Sequence, residues 1–583
     1  MYREEHPNPQ FFRDSWLNLN GEWDFDFDFG VSGKDGKWFE KDSLDKKINV
    51  PFCPESDLSG IGYKDFMDCV WYMKKVDVPA DWTKSGRVFL HFGAVDYKAT
   101  VYVNKKEVGV HEGGYISFKF DITDYLTDGQ NLITVCAEDY LRHGMQPCGK
   151  QSDKLDSYGC FYTRTTGIWQ TVWLEHTPCD YVKSFKFYPD SDNGKIGFEI
   201  SVSGKGNVEV KTSYEGTSTG GAVLCADNGV VKGEISLSEK HLWELGAGRL
   251  YNVEIKYGED VVKTYFGLRN VKLEDMKFML NGKTVFQRTV LDQGFYPDGI
   301  YTAPDDETLK RDIILSLDMG FNGARLHEKI FEARFLYHCD KLGYMVWGEH
   351  ANWGLNHSKI ETLAPMLNEW IQEIERDFNH PSIVCWCPFN ETWLYKEKET
   401  DGKLLKTIYN YTKQLDSTRP CIDTSGHYHV ITDIYDIHDY TQDVEKFSGY
   451  FKALNETGDF DYEGTDEERA PFFQKFYKYR KGMPVMVSEY GGIKWDLEMM
   501  QDEKQKISWG YGEAPETEEE FFERYKGLTE CLLANKNIGG FCYTQLYDVE
   551  QERNGLYTYG RKPKFDMEII KRINTQEAAI EKE

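Results

Sequence analysis

The feature that most restricts how this chain can fold is a change of rhythm near residue 275. Before it, short runs alternate apolar and polar residues at period two; after it, strand-like runs alternate with segments of helical period. Trp23-Asp24-Phe25-Asp26-Phe27-Asp28-Phe29 shows the first rhythm, sending aromatic and acidic side chains to opposite faces as a half-buried strand does. The runs from Arg87 to Phe92, Ala99 to Asn104, Leu132 to Ala137 and Gln170 to Glu175 repeat it, with turn residues between and no helical period. Residues 1–179 are therefore expected to form a β-sandwich of jelly-roll type. A second set of close-spaced strands, including the runs Ile196 to Val202 and Tyr251 to Tyr257, makes residues 180–271 an expected immunoglobulin-like sandwich.

In residues 272–583, helical patterns run from Thr308 to Met319, Ala333 to Leu342, Met366 to Phe378, Leu404 to Leu415 and Glu518 to Ala534. Between them lie apolar runs such as Tyr344-Met345-Val346-Trp347, Ile383-Val384-Cys385-Trp386-Cys387 and Pro484-Val485-Met486-Val487. Repeated β–α units of this total length suit one (β/α)8 TIM barrel better than two open sheets. The expected architecture is multidomain: two β-sandwiches followed by an α/β barrel.

Composition narrows the partners. A formal net charge of −28 argues against nucleic acid and anionic lipid surfaces. Aromatic residues make up 15% of the chain, which suits β-rich cores and stacking against sugar faces. No apolar run approaches the ~20 residues of a membrane span, and Met1-Tyr2-Arg3-Glu4-Glu5-His6-Pro7 has no signal-peptide pattern. The 13 cysteines are scattered, and Cys385 and Cys387 sit among apolar neighbours, so they read as buried reduced thiols. These features together predict a cytoplasmic protein. A homo-oligomer is compatible with the sequence. No phosphate loop, Rossmann glycine pattern or HExxH ligand set is present, and nothing calls for a metal or cofactor.

Two carboxylates lie where a barrel presents its chemistry. Glu391 follows the apolar run ending Cys387-Pro388-Phe389-Asn390, and Glu489 follows Val485-Met486-Val487-Ser488 and precedes Tyr490-Gly491-Gly492. Each stands at the C-terminal end of a strand, the catalytic face of a barrel. Two carboxyl groups facing one bond can divide acid and nucleophile roles if their surroundings separate their pKa values.

The motifs around them resemble glycoside hydrolase family 2. Asn379-His380-Pro381-Ser382 leading to Phe389-Asn390-Glu391-Thr392-Trp393 is similar to that family's acid/base signature, and Met483 to Gly492 to its nucleophile strand. Arg13-Asp14-Ser15-Trp16, Leu19-Asn20-Gly21-Glu22-Trp23, Gly113-Gly114-Tyr115 and Gly167-Ile168-Trp169-Gln170 resemble its sugar-binding domain, with Gln170 in place of the usual Arg. The resemblance implies a retaining β-glycosidase acting on a carbohydrate substrate, with Glu391 as acid/base and Glu489 as nucleophile. It makes Asn390 the residue that bonds the sugar 2-OH, Tyr440 a neighbour of the nucleophile and Arg325 its charged support. His327, His438 and Glu349 lie near predicted strand ends and are weaker substrate-binding candidates. Tyr543 takes the place of a family Trp that floors the sugar, and Trp347, Trp353, Trp386 and Trp393 divide between subsite platforms and core.

The sequence departs from the family's pattern in three further places. The glucuronidase branch carries Asn-x-Lys before a Gly in its last barrel loop; counting back from Gly555, those positions hold Glu552 and Asn554, with Asp548 and Glu550 nearby. Acidic groups there would repel a uronate, so a β-galactoside is the expected substrate. β-Galacturonides, β-glucuronides and β-glucosides are the alternatives, since Arg553 or Arg561 could turn inward and neutralise the loop. Glu328 stands where the family has a His after Arg325, and Leu291-Asp292-Gln293-Gly294-Phe295-Tyr296 replaces the Arg-His-Glu of many relatives. From another class, a carbohydrate-binding protein that has lost catalysis would also use an aromatic pocket. Such decay commonly removes one carboxylate, and both are present.

Overall fold

The computed structural model describes residues 2–582 apart from 228, 393, 396–397, 427, 461–478 and 497–507. The first sandwich faces a four-stranded sheet (Trp16–Asn18, Val172–Thr177, Arg87–Phe92, Phe118–Asp121) against a six-stranded one that includes Gly21–Phe27, Cys69–Asp77 and Gln130–Glu138. Its core gathers Trp23, Phe25, Tyr72, Leu90, Val101 and Val135. The period-two pattern works as its physics requires: Trp23 and Phe25 are buried, while Asp24 and Asp26 face outward and pair with Lys47 and Lys46 at 2.5 and 3.1 Å. The strand stops at Phe27, and Phe29, beyond it, is exposed.

The second sandwich packs a three-stranded sheet (Val182–Asp190, Lys195–Val202, Val230–Ser236) on a four-stranded one (Thr217–Ala226, Gly206–Tyr214, Tyr251–Tyr257, Asp260–Phe266). Strict alternation of buried and exposed residues along Tyr251–Tyr257 shows one face on the core and one in water. Arg13 ties the two sandwiches together: buried, it donates to Asp260 at 2.8 and 2.9 Å and to Glu175 at 2.8 Å.

Seven parallel strands form a curled sheet in the order Ile383–Cys387, Met345–Glu349, Gly323–Leu326, Gln287–Asp292, Ile538–Thr544, Val485–Gly491, Tyr435–Asp439. The segment 421–425 closes the gap as the eighth stave, through parallel bridges Trp386↔Cys421 and Asn390↔Ser425. The fold is thus two β-sandwiches and a (β/α)8 barrel. Helices Asp306–Asp318 and Glu518–Leu533 start where Asp305 and Thr517 accept from backbone N–H groups of their first turns. Helices Val444–Thr457 and Met567–Asn574, capped by Asp443 and Asp566, were not anticipated from the periodicity. Among the described residues no helix is long and apolar enough to cross a membrane.

The first sandwich meets the barrel directly. Gly113, at φ 136°, lets its chain approach until an added Cβ would lie 2.7 Å from Glu369 Cγ. Glu369 Oε1 then accepts from Tyr115 N at 2.9 Å, and Trp169 Nε1 donates to Gly114 O at 2.7 Å. The Gly-Gly-Tyr and Gly-Ile-Trp motifs therefore build this seam. It brings a sandwich loop, residues 147–162, over the C-terminal mouth of the barrel.

Candidate active site

At the barrel mouth the strand ends converge on Arg325, which is completely buried. Its Nε and Nη2 donate to Glu349 at 2.5 and 3.2 Å, and its Nη1 to Glu489 Oε1 at 3.0 Å and Ser488 O at 2.8 Å. Nη2 also reaches Asn390 Oδ1 at 3.1 Å. Burial works against the guanidinium charge, but Glu349 and Glu489 outweigh it and hold Arg325 cationic. Burial likewise pushes the Glu349 carboxyl up, with Arg325 opposing. One cation thus fixes two carboxylates and an amide from three further strand ends.

Glu489 is gripped from its other side. Tyr440, following the Tyr435–Asp439 strand, donates its hydroxyl to Glu489 Oε2, meets Thr544 Oγ1 at 3.0 Å, and stacks flat on Tyr511. Burial and then the Glu489 charge hold the Tyr440 phenol in its protonated form. His438 Nδ1 lies 2.7 Å from Glu391 Oε1 and 3.4 Å from Glu489 Oε2, while its Nε2 sits 2.9 Å from Ser425 Oγ. Burial disfavours the imidazolium, but Glu489 and Glu391 outweigh it and raise the His438 pKa. His327 lies beside Glu349 and Glu489 at 3.3 and 3.9 Å; burial, then the nearby Lys150, drive its pKa down.

Glu391 sits on a sharp turn, with φ 49° in the left-handed region that a non-glycine residue seldom adopts. Its neighbour Asn390 is held by Asn352, whose Oδ1 accepts from Asn390 N at 2.7 Å. Trp353 Nε1 and Asn352 Nδ2 donate to Asn390 O at 3.2 and 3.1 Å. Asn390 Nδ2 is buried with no protein partner among the described residues, a donor left for a ligand. One oxygen of Glu391, one of Glu489 and a ring nitrogen of His438 all lie within 4.8 Å of one another. An oxygen of each within that distance is compatible with the ~5–5.5 Å carboxyl separation of a pair acting on one anomeric carbon. An ion could bridge the same three side chains, and would then occupy both carboxylates.

Glu391, Glu489, Asn390, Arg325, Tyr440, His438, His327 and Glu349 thus come together in one cleft. Tyr543 does not. It is buried against Tyr490 and against Tyr525 of the Glu518–Leu533 helix, on the outer face of its strand, and the next residue, Thr544, points inward to Tyr440. Period-two alternation makes a one-residue misplacement exchange the two faces. Trp347 and Trp386 are core, donating to Gln287 and Asp416, whereas Trp353 borders the cleft. Trp393 lies outside the described residues.

The last barrel loop differs from the picture of exposed acidic groups. Asp548 accepts from Lys564 Nζ at 2.5 Å, and burial pushes its carboxyl up to about 6. Glu550 accepts from Thr163 N, and Glu552 from the Tyr162 hydroxyl and from Asn554 Nδ2 at 3.0 Å. Arg561 does not turn inward: it forks onto Asp312 at 3.1 and 2.9 Å and stacks on Tyr547. Arg553 lies 3.7 Å from Asp548. Residues missed from sequence include Asn352, Ser425, Tyr511, Tyr162 and Lys150; the last two come from the first sandwich.

Known proteins share this architecture. The β-glucuronidase of Sus scrofa is 26% identical over 81% of this chain and 77% of its own, and that of Homo sapiens 25% over 84% and 79%. The β-galactosidase of Thermoanaerobacter pseudethanolicus is 28% identical over 61% of this chain and 48% of its own. A solved β-glucuronidase from an uncultured Clostridium superposes with a TM-score of 0.79 at 22% identity, covering 99% of this chain and 100% of that one. The Ruminococcus gnavus β-glucuronidase in complex with D-glucuronic acid gives 0.77 at 20%, covering 98% and 99%. The models of glycosyl hydrolases family 2, sugar binding domain, of glycosyl hydrolases family 2, and of glycosyl hydrolases family 2, TIM barrel domain, match residues 17–178, 181–269 and 271–577. With the short carboxylate spacing at the mouth of that barrel, the chain belongs to glycosyl hydrolases family 2, as a retaining glycosidase acting on a sugar substrate.

Proposed function

We propose that this enzyme removes a terminal β-linked hexuronate, glucuronate or galacturonate, by double displacement. Glu489 attacks the anomeric carbon while Glu391 gives its proton to the departing glycosidic oxygen. Glu391, now a carboxylate, takes a proton from the water that displaces Glu489, and two inversions restore the configuration. Arg325 and Tyr440 orient the Glu489 oxygens for that attack, and Asn390 Nδ2 is the free donor for the sugar 2-OH.

The observation that carries the hexuronate reading is the span of the likeness. The relatives matched over about four-fifths of the chain are β-glucuronidases, whereas the β-galactosidase match covers 61%. The last loop supports it, because Asp548, Glu550 and Glu552 are each engaged by protein donors, which weakens the repulsion expected from sequence. A β-galactoside is the second reading, favoured by Glu552 and Asn554 standing where the glucuronidase signature has Asn and Lys. A panel of nitrophenyl β-glucuronide, β-galacturonide, β-galactoside and β-glucoside tests the order. The expected result is a hexuronide kcat/KM at least tenfold above either neutral glycoside, about 1.4 kcal/mol of transition-state binding. A neutral glycoside cleaved faster would reverse it.

A further inference from the structure

Lys150 is the cation of the cleft that the chemistry above leaves unused. It comes from the first sandwich, not the barrel, and is only 6% exposed. Its ammonium lies 4.3 Å from the centroid of the Trp353 ring, whose Nε1 is bonded to Asn390 O, so it stands over the wall beside the acid/base turn. It is within electrostatic reach of Glu552, Glu489 and Glu391, and of His327 and Glu328 as well.

Among the described residues, Lys150 makes no side-chain hydrogen bond and no ion pair within 4.0 Å. Glu552, the nearest thing to a counter-ion, has both oxygens occupied, one by the Tyr162 hydroxyl and the other by Asn554 Nδ2. An ammonium taken out of water without a partner costs several kcal/mol. Burial opposes its charge here, yet the Cys160, Glu552, Glu489 and Glu391 groups outweigh that, so it stays protonated. A buried cation with no bonded anion, facing a sugar cleft, is the mark of a site completed by an anionic ligand.

Its position is also well fixed. Cys148 N and Gly149 N donate to Trp353 O and Ala351 O at 2.7 and 3.2 Å, stitching the sandwich loop to the barrel. Gly149, at φ 54°, is so close that an added Cβ would lie 2.2 Å from Glu328 O, and Tyr162 N donates to Lys150 O at 2.8 Å. The loop therefore delivers the ammonium at a set point, where a flexible surface lysine would wander.

We infer that Lys150 binds the substrate's C5 carboxylate, serving from the sandwich side the role for which the glucuronidase signature uses a barrel-loop lysine, here Asn554. This inference rests on the hexuronate reading and goes further by naming the residue that sets it.

The test is the ratio of kcat/KM on nitrophenyl β-glucuronide or β-galacturonide to that on nitrophenyl β-galactoside, for wild type, Lys150→Met and Lys150→Arg. A charge-assisted hydrogen bond is worth about 1.5–3 kcal/mol, so Lys150→Met should lower the ratio roughly 10- to 150-fold. Lys150→Arg should restore part of it. Product inhibition should move in parallel, with free D-glucuronate losing affinity for Lys150→Met by a similar factor and D-galactose not. A ratio within threefold of wild type, with both substrates falling together, would show that Lys150 only supports the loop and would overturn the inference while leaving the hexuronate reading intact. If wild type itself cleaved the galactoside faster than both hexuronides, the reading beneath would fall and the inference with it. Thermal melting of each variant, expected within a few degrees of wild type, separates lost recognition from lost folding.

Discussion

The two carboxylates stand a few ångströms apart and occupy opposite kinds of environment. Glu489 lies within the Val485–Gly491 barrel strand, with a side chain 4% exposed and both oxygens engaged, one by Arg325 and one by Tyr440. Glu391 sits on a left-handed turn, 18% exposed, with His438 against one oxygen. A carboxylate fixed by a guanidinium and a phenol is aimed, as a nucleophile must be. A carboxyl on a partly exposed turn can reach a leaving group or a water, as an acid/base must. The difference supports the proposed roles independently of any relative.

The largest effect expected from breaking this asymmetry is at Glu489. Glu489→Gln removes the nucleophile and should lower turnover on every substrate by a factor on the order of 10⁶, as loss of a nucleophile does in other hydrolases. No glycosyl-enzyme should be trapped by mass spectrometry. Glu391→Gln should behave differently, losing about 10²–10⁴-fold on poor leaving groups and much less on nitrophenyl glycosides, whose departure needs little protonation. Azide should rescue it to a product of retained configuration. An inverted glycosyl azide from the Glu391 variant would exchange the two roles.

A smaller effect isolates the grip on Glu489. Tyr440→Phe removes the hydroxyl and keeps the stacking on Tyr511. A hydrogen bond to a charged group contributes about 1.5–3 kcal/mol, so kcat/KM should fall roughly 10- to 150-fold, with the rate of glycosyl-enzyme formation carrying the loss. A fall confined to KM would mean that Tyr440 touches substrate and not the nucleophile.

How much of this was legible in the sequence follows the range of the signals. Period-two and helical periodicity are local, and they gave both sandwiches, the barrel and the ends of strands on which Glu391, Glu489 and Arg325 stand. The resemblance added Asn390 and Tyr440, since each lies within a few residues of a strand end. What failed depended on face or on distance. Tyr543 and Thr544 are adjacent, and only the alternation of their strand decides which enters the cleft. The charges of Asp548 and Glu552 could be counted, but the Lys564 ammonium that pairs with the first and the Tyr162 hydroxyl that bonds the second come from elsewhere in the chain, in the latter case another domain. Lys150 was invisible for the same reason, because nothing local marks a sandwich loop as part of a barrel's active site. The helix Met567–Asn574 carries a clear apolar stripe but is only eight residues long, below the window in which periodicity speaks, whereas Val444–Thr457 buries Phe447, Phe451 and Leu454 at helical spacing, so its signal did lie in the sequence.

The smallest expected effect on turnover lies one layer beneath the cleft, where His429 bridges Asp423 at 2.8 Å and Asp436 at 3.1 Å. Asp436 accepts in turn from Ser425 and Ser488, and Ser425 Oγ lies 2.9 Å from His438 Nε2, so this layer sets the ring that faces Glu391. Burial opposes the imidazolium, but hydrogen bonds to Asp423 and Asp436 outweigh it and raise His429 to about 10. A His raised in the folded state contributes stability that is fully present below its unfolded value near 6.5 and is lost as pH rises through about 10. Asp436 is depressed in its folded state, burial being outweighed by His429 and His438, so its contribution is present above its ordinary value and lost as pH falls below it. The two windows leave this layer most stable between about pH 5 and 6.5. The wild-type Tm should therefore decline from pH 6.5 toward 10. His429→Gln should lower Tm by several degrees at pH 6 and progressively less toward pH 10, with kcat changed only a few-fold. A Tm difference that stayed constant across that range would show that the bridge holds a neutral histidine, and that the layer steadies His438 by shape alone.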